Sequence, residues 1–234
     1  MFKYLNPSYI FTITGKILNV LKFIVTPIII IGVIFSVFVS PIDYIQGDAV
    51  RIMYIHVPSA WISLICFAAI SFLAILNFLF KIKSATLFYK SLAPIGLTFC
   101  FIAIFTGALW GQPTWGTWWA WDARLTSMLI LSFFYIIFIC GYKLTSNSER
   151  SAKICSFISV LGLINLIIIK YSVSWWPTLH QPSSISLFRE STVHLSMLIP
   201  LIIMLFALLL YSALIFLMKY RIETIRVKKK SLKD

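Results

Sequence analysis

Charge is scarce in this chain. Only 12% of its 234 residues are Asp, Glu, Lys or Arg. A water-soluble domain needs a polar surface, and a chain that is 60% hydrophobic cannot make one. Mean hydropathy is +0.96. Acid is scarcer still, with seven Asp and Glu against twenty Lys and Arg. The four cysteines, Cys66, Cys100, Cys140 and Cys155, form no CxxC or CxxCH pair. That excludes a thiol oxidoreductase and a covalent c-type cytochrome, and reads as small apolar core residues. No GxxxxGK[ST] occurs, so the chain hydrolyses no nucleotide by that device. No acid or base falls in the middle of an apolar run, where ion-coupled transporters usually keep one.

Six long apolar runs are present, at about 21–40, 57–80, 92–110, 124–142, 154–171 and 192–218. Each can cross ~30 Å of hydrocarbon as a helix. The fold class is therefore all-α, a polytopic membrane bundle of six helices forming one domain over 1–234. The first run is expected to be a retained span rather than a cleaved signal. The stretch before it, Met1–Val20, is mixed apolar and basic and suits a short interfacial helix.

The charges set an orientation. The N-terminal segment, 81–91, 143–153 and the C-terminal tail carry sixteen Lys and Arg against Glu149, Glu223 and Asp234. The other set of loops balances Arg51, Arg124, Lys170 and Arg189 against Asp43, Asp48, Asp122 and Glu190. Basic loops stay cytoplasmic, which puts both termini inside and the neutral loops on the periplasmic face of a bacterial inner membrane. The basic tail Lys219–Lys233 suits contact with anionic lipid and requires no nucleic acid.

Tryptophan breaks the pattern. Trp110, Trp115, Trp118, Trp119 and Trp121 fall within fourteen residues, and Trp175–Trp176 and Trp61 lie toward the same side. An interfacial aromatic belt would populate both membrane faces. Here the inner edges carry Tyr89, Tyr142 and Tyr220 instead. Packing among the outer loops is the other plain explanation. All three histidines, His56, His180 and His194, keep company with the tryptophans.

Neutral imidazole is the usual nitrogen ligand of haem iron, and a flat macrocycle with two propionates suits aromatic faces and a cationic edge. His56 and His180 are the axial candidates. Trp115, Trp118 and Trp119 would share one side if their segment were helical. Trp110, Trp121 and Asp122 complete the candidate platform, with Trp175 and Trp176 as secondary aromatics. Arg51 and Arg124 are candidates for the propionate edge. Asp122 also reads as an N-cap, with Arg124 just inside the helix. His194 is expected only to bond its neighbours. A zinc site is disfavoured, since there is no outer cysteine and no HxxxH pair. Gly111, Pro113 and Gly116 are expected to bend the connector.

These residues carry a resemblance. "WGQPTWGTWWAWDARLTS" resembles the WWD motif of the haem-handling membrane superfamily. "RIMYIHVPSAW" and "SVSWWPTLHQPSSI" resemble the histidine-bearing stretches of the haem exporter protein C family. With six runs and a short chain, the resemblance covers nearly the whole length. It implies a haem b carried as a transient cargo at the periplasmic face, with His56 and His180 as ligands. It also implies delivery to a periplasmic haem chaperone, cytochrome c maturation protein E. The implied partners are an ATP-binding subunit, a second membrane subunit and a small single-span subunit of an ABC complex. The expected role is haem transfer rather than catalysis. The competing reading is a catalytic haem lyase or cytochrome c synthase component, which would need a docking surface for an unfolded CxxCH segment.

Overall fold

The computed structural model describes residues 7–145, 147–181, 191–230 and 232. Arg189 and Glu190 of the last neutral loop, and the Pro182–Ile185 end of the second histidine stretch, lie outside these residues, as do residues 1–6. Among the described residues there is no strand, and six helices are long and apolar enough to cross a membrane. They are α1 (Pro7–Ile34), α2 (Met53–Phe80), α3 (Lys83–Trp115), α4 (Ala123–Lys143), α5 (Ser148–Trp175) and α6 (Leu195–Lys230). A π-helical turn, Phe35–Val39, closes α1, and a 3-10 turn, Asp48–Ile52, leads into α2.

The helices run past the ends of the apolar runs. Hydropathy marks where lipid begins, while backbone hydrogen bonding continues through the polar flanks. The clearest case is α1. Among the described residues no separate interfacial helix precedes the first span, because from Pro7 onward that stretch joins the span in one continuous helix. Arg221 of α6 secures it there. Its guanidinium lies 3.7 Å from the Phe11 ring centroid and donates to the Phe11 carbonyl.

Helices α2, α3, α4 and α5 share the main core, built from Phe67, Ile70, Phe99, Leu131, Tyr135, Phe138 and Ile158 among others. Cys66, Cys100 and Cys155 sit in it as free thiols, while Cys140 is exposed. Lipid is as apolar as leucine, so close approach of backbones replaces hydrophobic exclusion as the packing force. Gly162 accordingly lies under the Phe67 ring and Gly96 under the Tyr135 hydroxyl. That hydroxyl donates to the Ser63 carbonyl at 2.6 Å. A second cluster joins Met53 and Tyr54 of α2 to Leu201, Met204 and Ala207 of α6, with Ile28 of α1 and Trp110 of α3 packed against it. At the opposite end of the bundle Tyr89 and Tyr220 are buried in helix packing.

The antiparallel order gathers the segments 40–52, 116–122, 176–181 and 191–194 at one end of the bundle. The Trp-rich connector is shorter than the sequence suggests. Gly111 and Pro113 are inside α3, and only Gly116 ends the helix. It adopts the left-handed conformation, φ 74°, and donates to the Gln112 carbonyl at 3.0 Å. Gly111 serves close approach instead. A Cβ there would stand 2.9 Å from the Trp115 ring, which folds back over it.

Candidate functional site

His56 lies in the first turn of α2 rather than ahead of it. Its imidazole leans across onto α3. Nδ1 is 3.0 Å from the Ala103 carbonyl and 3.2 Å from the Thr106 hydroxyl oxygen. That hydroxyl gives its own proton to the Ile102 carbonyl. Two acceptors therefore face Nδ1, which must carry the ring proton and leaves the lone pair on Nε2. Gly107 makes the approach possible, and the Trp110 ring meets the imidazole edge-on at 5.7 Å between centroids. Trp110 is fixed in turn, since its indole N–H donates to Gln46 Oε1 at 2.8 Å. Gln46 sits in a tight turn in which Asp43 accepts the Ile45 and Gln46 amides.

His180 reaches the same place from a different element. It follows α5 in a non-helical stretch, and its Nδ1 is 2.8 Å from the Gln181 carbonyl. The same argument places its lone pair on Nε2. The Trp115 ring lies 6.3 Å away, centroid to centroid. Thus α3 backs both histidines, Trp110 behind one and Trp115 beside the other. Burial, and next the Arg124 charge, hold the His180 imidazole below its ordinary pKa, with the Gln181 carbonyl and Asp122 acting the other way. The ring is therefore neutral near pH 7 and able to coordinate a metal.

His194 is built differently. It is exposed at the start of α6, and its Nδ1 accepts the Ser196 amide at 3.3 Å. Its proton belongs on Nε2, opposite to the other two. Among the described residues no cluster of three or more His, Cys, Asp and Glu could hold a metal ion.

The two arginines also differ. Arg51 donates to Asp48 at 2.8 Å and to the carbonyls of Ser36 and Val37, tying the end of α1 to the start of α2. Arg124 is the second residue of α4 and partly buried. Its charge acts on both His56 and His180, and among the described residues it has no hydrogen bond or ion pair.

The tryptophans do not share a helical face. Trp115 is the last residue of α3, and Trp118, Trp119 and Trp121 lie beyond its Gly116 terminus. Trp118 is 58% exposed and Trp121 79%, so this part of the site is an open aromatic surface. Trp119 packs edge-on against Trp121, and its indole N–H is buried without a partner among the described residues. Trp175, the last residue of α5, and Trp176, its C-cap, are also exposed, with Trp175 stacked on Tyr171. Asp122 is the N-cap of α4, where one carboxylate oxygen accepts the Leu125 amide at 2.7 Å. Its other oxygen accepts the Thr178 hydroxyl.

The family model for heme exporter protein C matches residues 1–233. The chain belongs to the heme exporter protein C family. It is 36% identical to heme exporter protein C of Haemophilus influenzae over 95% of this chain and 91% of the relative. For the protein of that name in Bradyrhizobium diazoefficiens the identity is 39%, over 97% and 86%. For Escherichia coli it is 37%, over 92% and 86%. Membership implies haem handling in cytochrome c maturation, and six spanning helices with bacterial relatives make the chain a multi-pass inner-membrane protein.

Sequence reasoning missed the residues that seat the histidines: Gln46, Thr106, Gly107 and Thr178. A lone glycine inside an apolar run was the available signal for Gly107, since such a residue often marks close approach.

Proposed function

We propose that this chain is a haem-presenting platform. It holds a transient haem b at the periplasmic face through His56 and His180 and passes it to the periplasmic haem chaperone. One observation carries the reading. Two imidazoles from different elements each direct Nδ1–H to a backbone carbonyl, which leaves the lone pair on Nε2, and both lie in the field of one cation, Arg124. Anchoring Nδ1–H in this way fixes the tautomer and orientation of a metal-binding histidine. Arg124 suits a propionate, while Arg51 is engaged with Asp48 and α1. The open indoles of Trp118 and Trp121 suit a flat macrocycle, or the chaperone that receives it.

The role is delivery rather than catalysis, in a complex with the ATP-binding, second membrane and small single-span subunits. The charge asymmetry supports cytoplasmic termini, and the basic end of α6, with Lys219, Arg226, Lys228 and Lys229, suits anionic lipid. The test is the visible spectrum of purified protein. Six-coordinate haem is expected in the wild type and its loss in His56→Ala and His180→Ala. A wild type that carries no haem even beside the chaperone would end the reading. A reporter inserted at Tyr44, which is 93% exposed, should be periplasmic.

A further inference from the structure

The two candidate ligands are held by different means. His56 is part of helix α2, and its ring is bonded to the backbone of α3 and wedged over Gly107. Withdrawing it from a metal breaks its bond to the Ala103 carbonyl and unpacks it from Gly107. His180 follows the end of α5 and belongs to no helix. Among the described residues its backbone amide is held by one hydroxyl. Thr178 Oγ1 accepts the His180 amide at 3.0 Å and gives its own proton to Asp122 Oδ2. Asp122 is itself anchored, because its other oxygen caps α4. Hydrogen bonds thus run from the α4 N-terminus through Asp122 and Thr178 to His180, across 56 residues of sequence between the first two partners.

We propose that Asp122 and Thr178 are a latch that seats His180, and that His180 is the axial ligand released when haem is handed on. Asp122 then acts as a positioning residue and makes no contact with the porphyrin. When the latch opens, the Nε2–iron bond breaks, the electron pair returns to Nε2, and the vacated position is free for an incoming ligand. The α2–α3 grip on His56 keeps the second bond closed meanwhile. This rests on the two-histidine reading above.

The experiment uses the full chain with Thr178→Val, which removes both hydrogen bonds and leaves the α4 cap in place. Carbon monoxide can bind six-coordinate ferrous haem only after one axial ligand leaves, so its binding rate measures the weaker bond. Loss of the hydroxyl should raise that rate about three- to tenfold, the effect of one or two ordinary hydrogen bonds. Thr178→Ser should restore the wild-type rate, and Thr106→Val, on the His56 side, should raise it less than Thr178→Val does. The ferric spectrum of Thr178→Val should shift toward that of His180→Ala, and combining the two changes should add nothing to His180→Ala alone. An unchanged rate in Thr178→Val, or a larger rise in Thr106→Val than in Thr178→Val, overturns the order of release.

A second measurement needs no haem. Amide hydrogen exchange at 178–181 should quicken in haem-free Thr178→Val while α4 keeps its protection. Unchanged exchange overturns the latch. Haem indifferent to His180→Ala would instead sink the two-histidine reading and with it the release order, while the exchange result would still decide the latch.

Discussion

Gly107 and His56 are fitted to each other across α2 and α3. A Cβ at Gly107 would stand 2.9 Å from His56 Cε1 and 3.4 Å from its Nδ1. No real contact of that kind is as short as the first, so the ring would have to leave Ala103. Gly107→Ala should therefore cost about 1–3 kcal/mol of stability, the usual penalty of overpacking. It should also abolish the six-coordinate haem spectrum while the protein still inserts. Spectra and thermal unfolding in detergent check both parts. A normal spectrum would show that haem binding does not depend on the contact between the imidazole and Ala103.

The titration of His180 carries its own test in haem-free protein. Its folded pKa lies below the ordinary ~6.5 of histidine, chiefly through burial and then through Arg124. The sign follows. As pH falls through 6.5 the unfolded chain takes up a proton that the folded chain refuses. Stability from neutral His180 is present above that pH and is lost as pH drops toward the folded value. Arg124→Gln removes one depressing charge, so the His180 midpoint should move up while burial keeps it below 6.5. Histidine NMR reads the midpoint directly.

His194→Ala should leave the haem spectrum and its stability within error of wild type. Its ring is exposed and spends Nδ1 on the first turn of α6. Loss of haem in this variant would mean that the ligand pair includes His194.

Gly162 is a structural position far from any histidine in the sequence. The Phe67 ring occupies the space a side chain would need, and that ring also meets Tyr135 edge-on at 4.9 Å. Gly162→Ala should lower stability by about 1–3 kcal/mol without changing the haem spectrum of the protein that survives. Melting curves beside spectra separate it from Gly107→Ala.

The fold was legible because lipid imposes its own composition. Six apolar runs could be nothing but helices, since each unpaired backbone group in hydrocarbon is costly. The partners of the site were legible by company, as Trp110, Trp115 and the histidines crowd one end of the chain's alternation. The geometry within it was not. Gly111 and Pro113 look like helix breakers, yet α3 absorbs both, and the reason for Gly111 is the Trp115 ring four residues on. Met1–Val20 looks interfacial by composition, yet Arg221 holds the described part in α1 from more than two hundred residues away. Asp122 carried two readings in sequence, cap and platform. Its bond to Thr178 depends on how α4 and the end of α5 meet, which no local pattern records.

Helix α3 also acts as a ruler. Trp110 and Trp115 are five residues apart on one rod, about 7.5 Å along its axis at 1.5 Å per residue. The distance between the supports of the two imidazoles is thus set by helical pitch and not by loop length. One extra residue inserted between them would turn Trp115 by about 100° around the axis and carry it away from His180, with every side chain of the site still present.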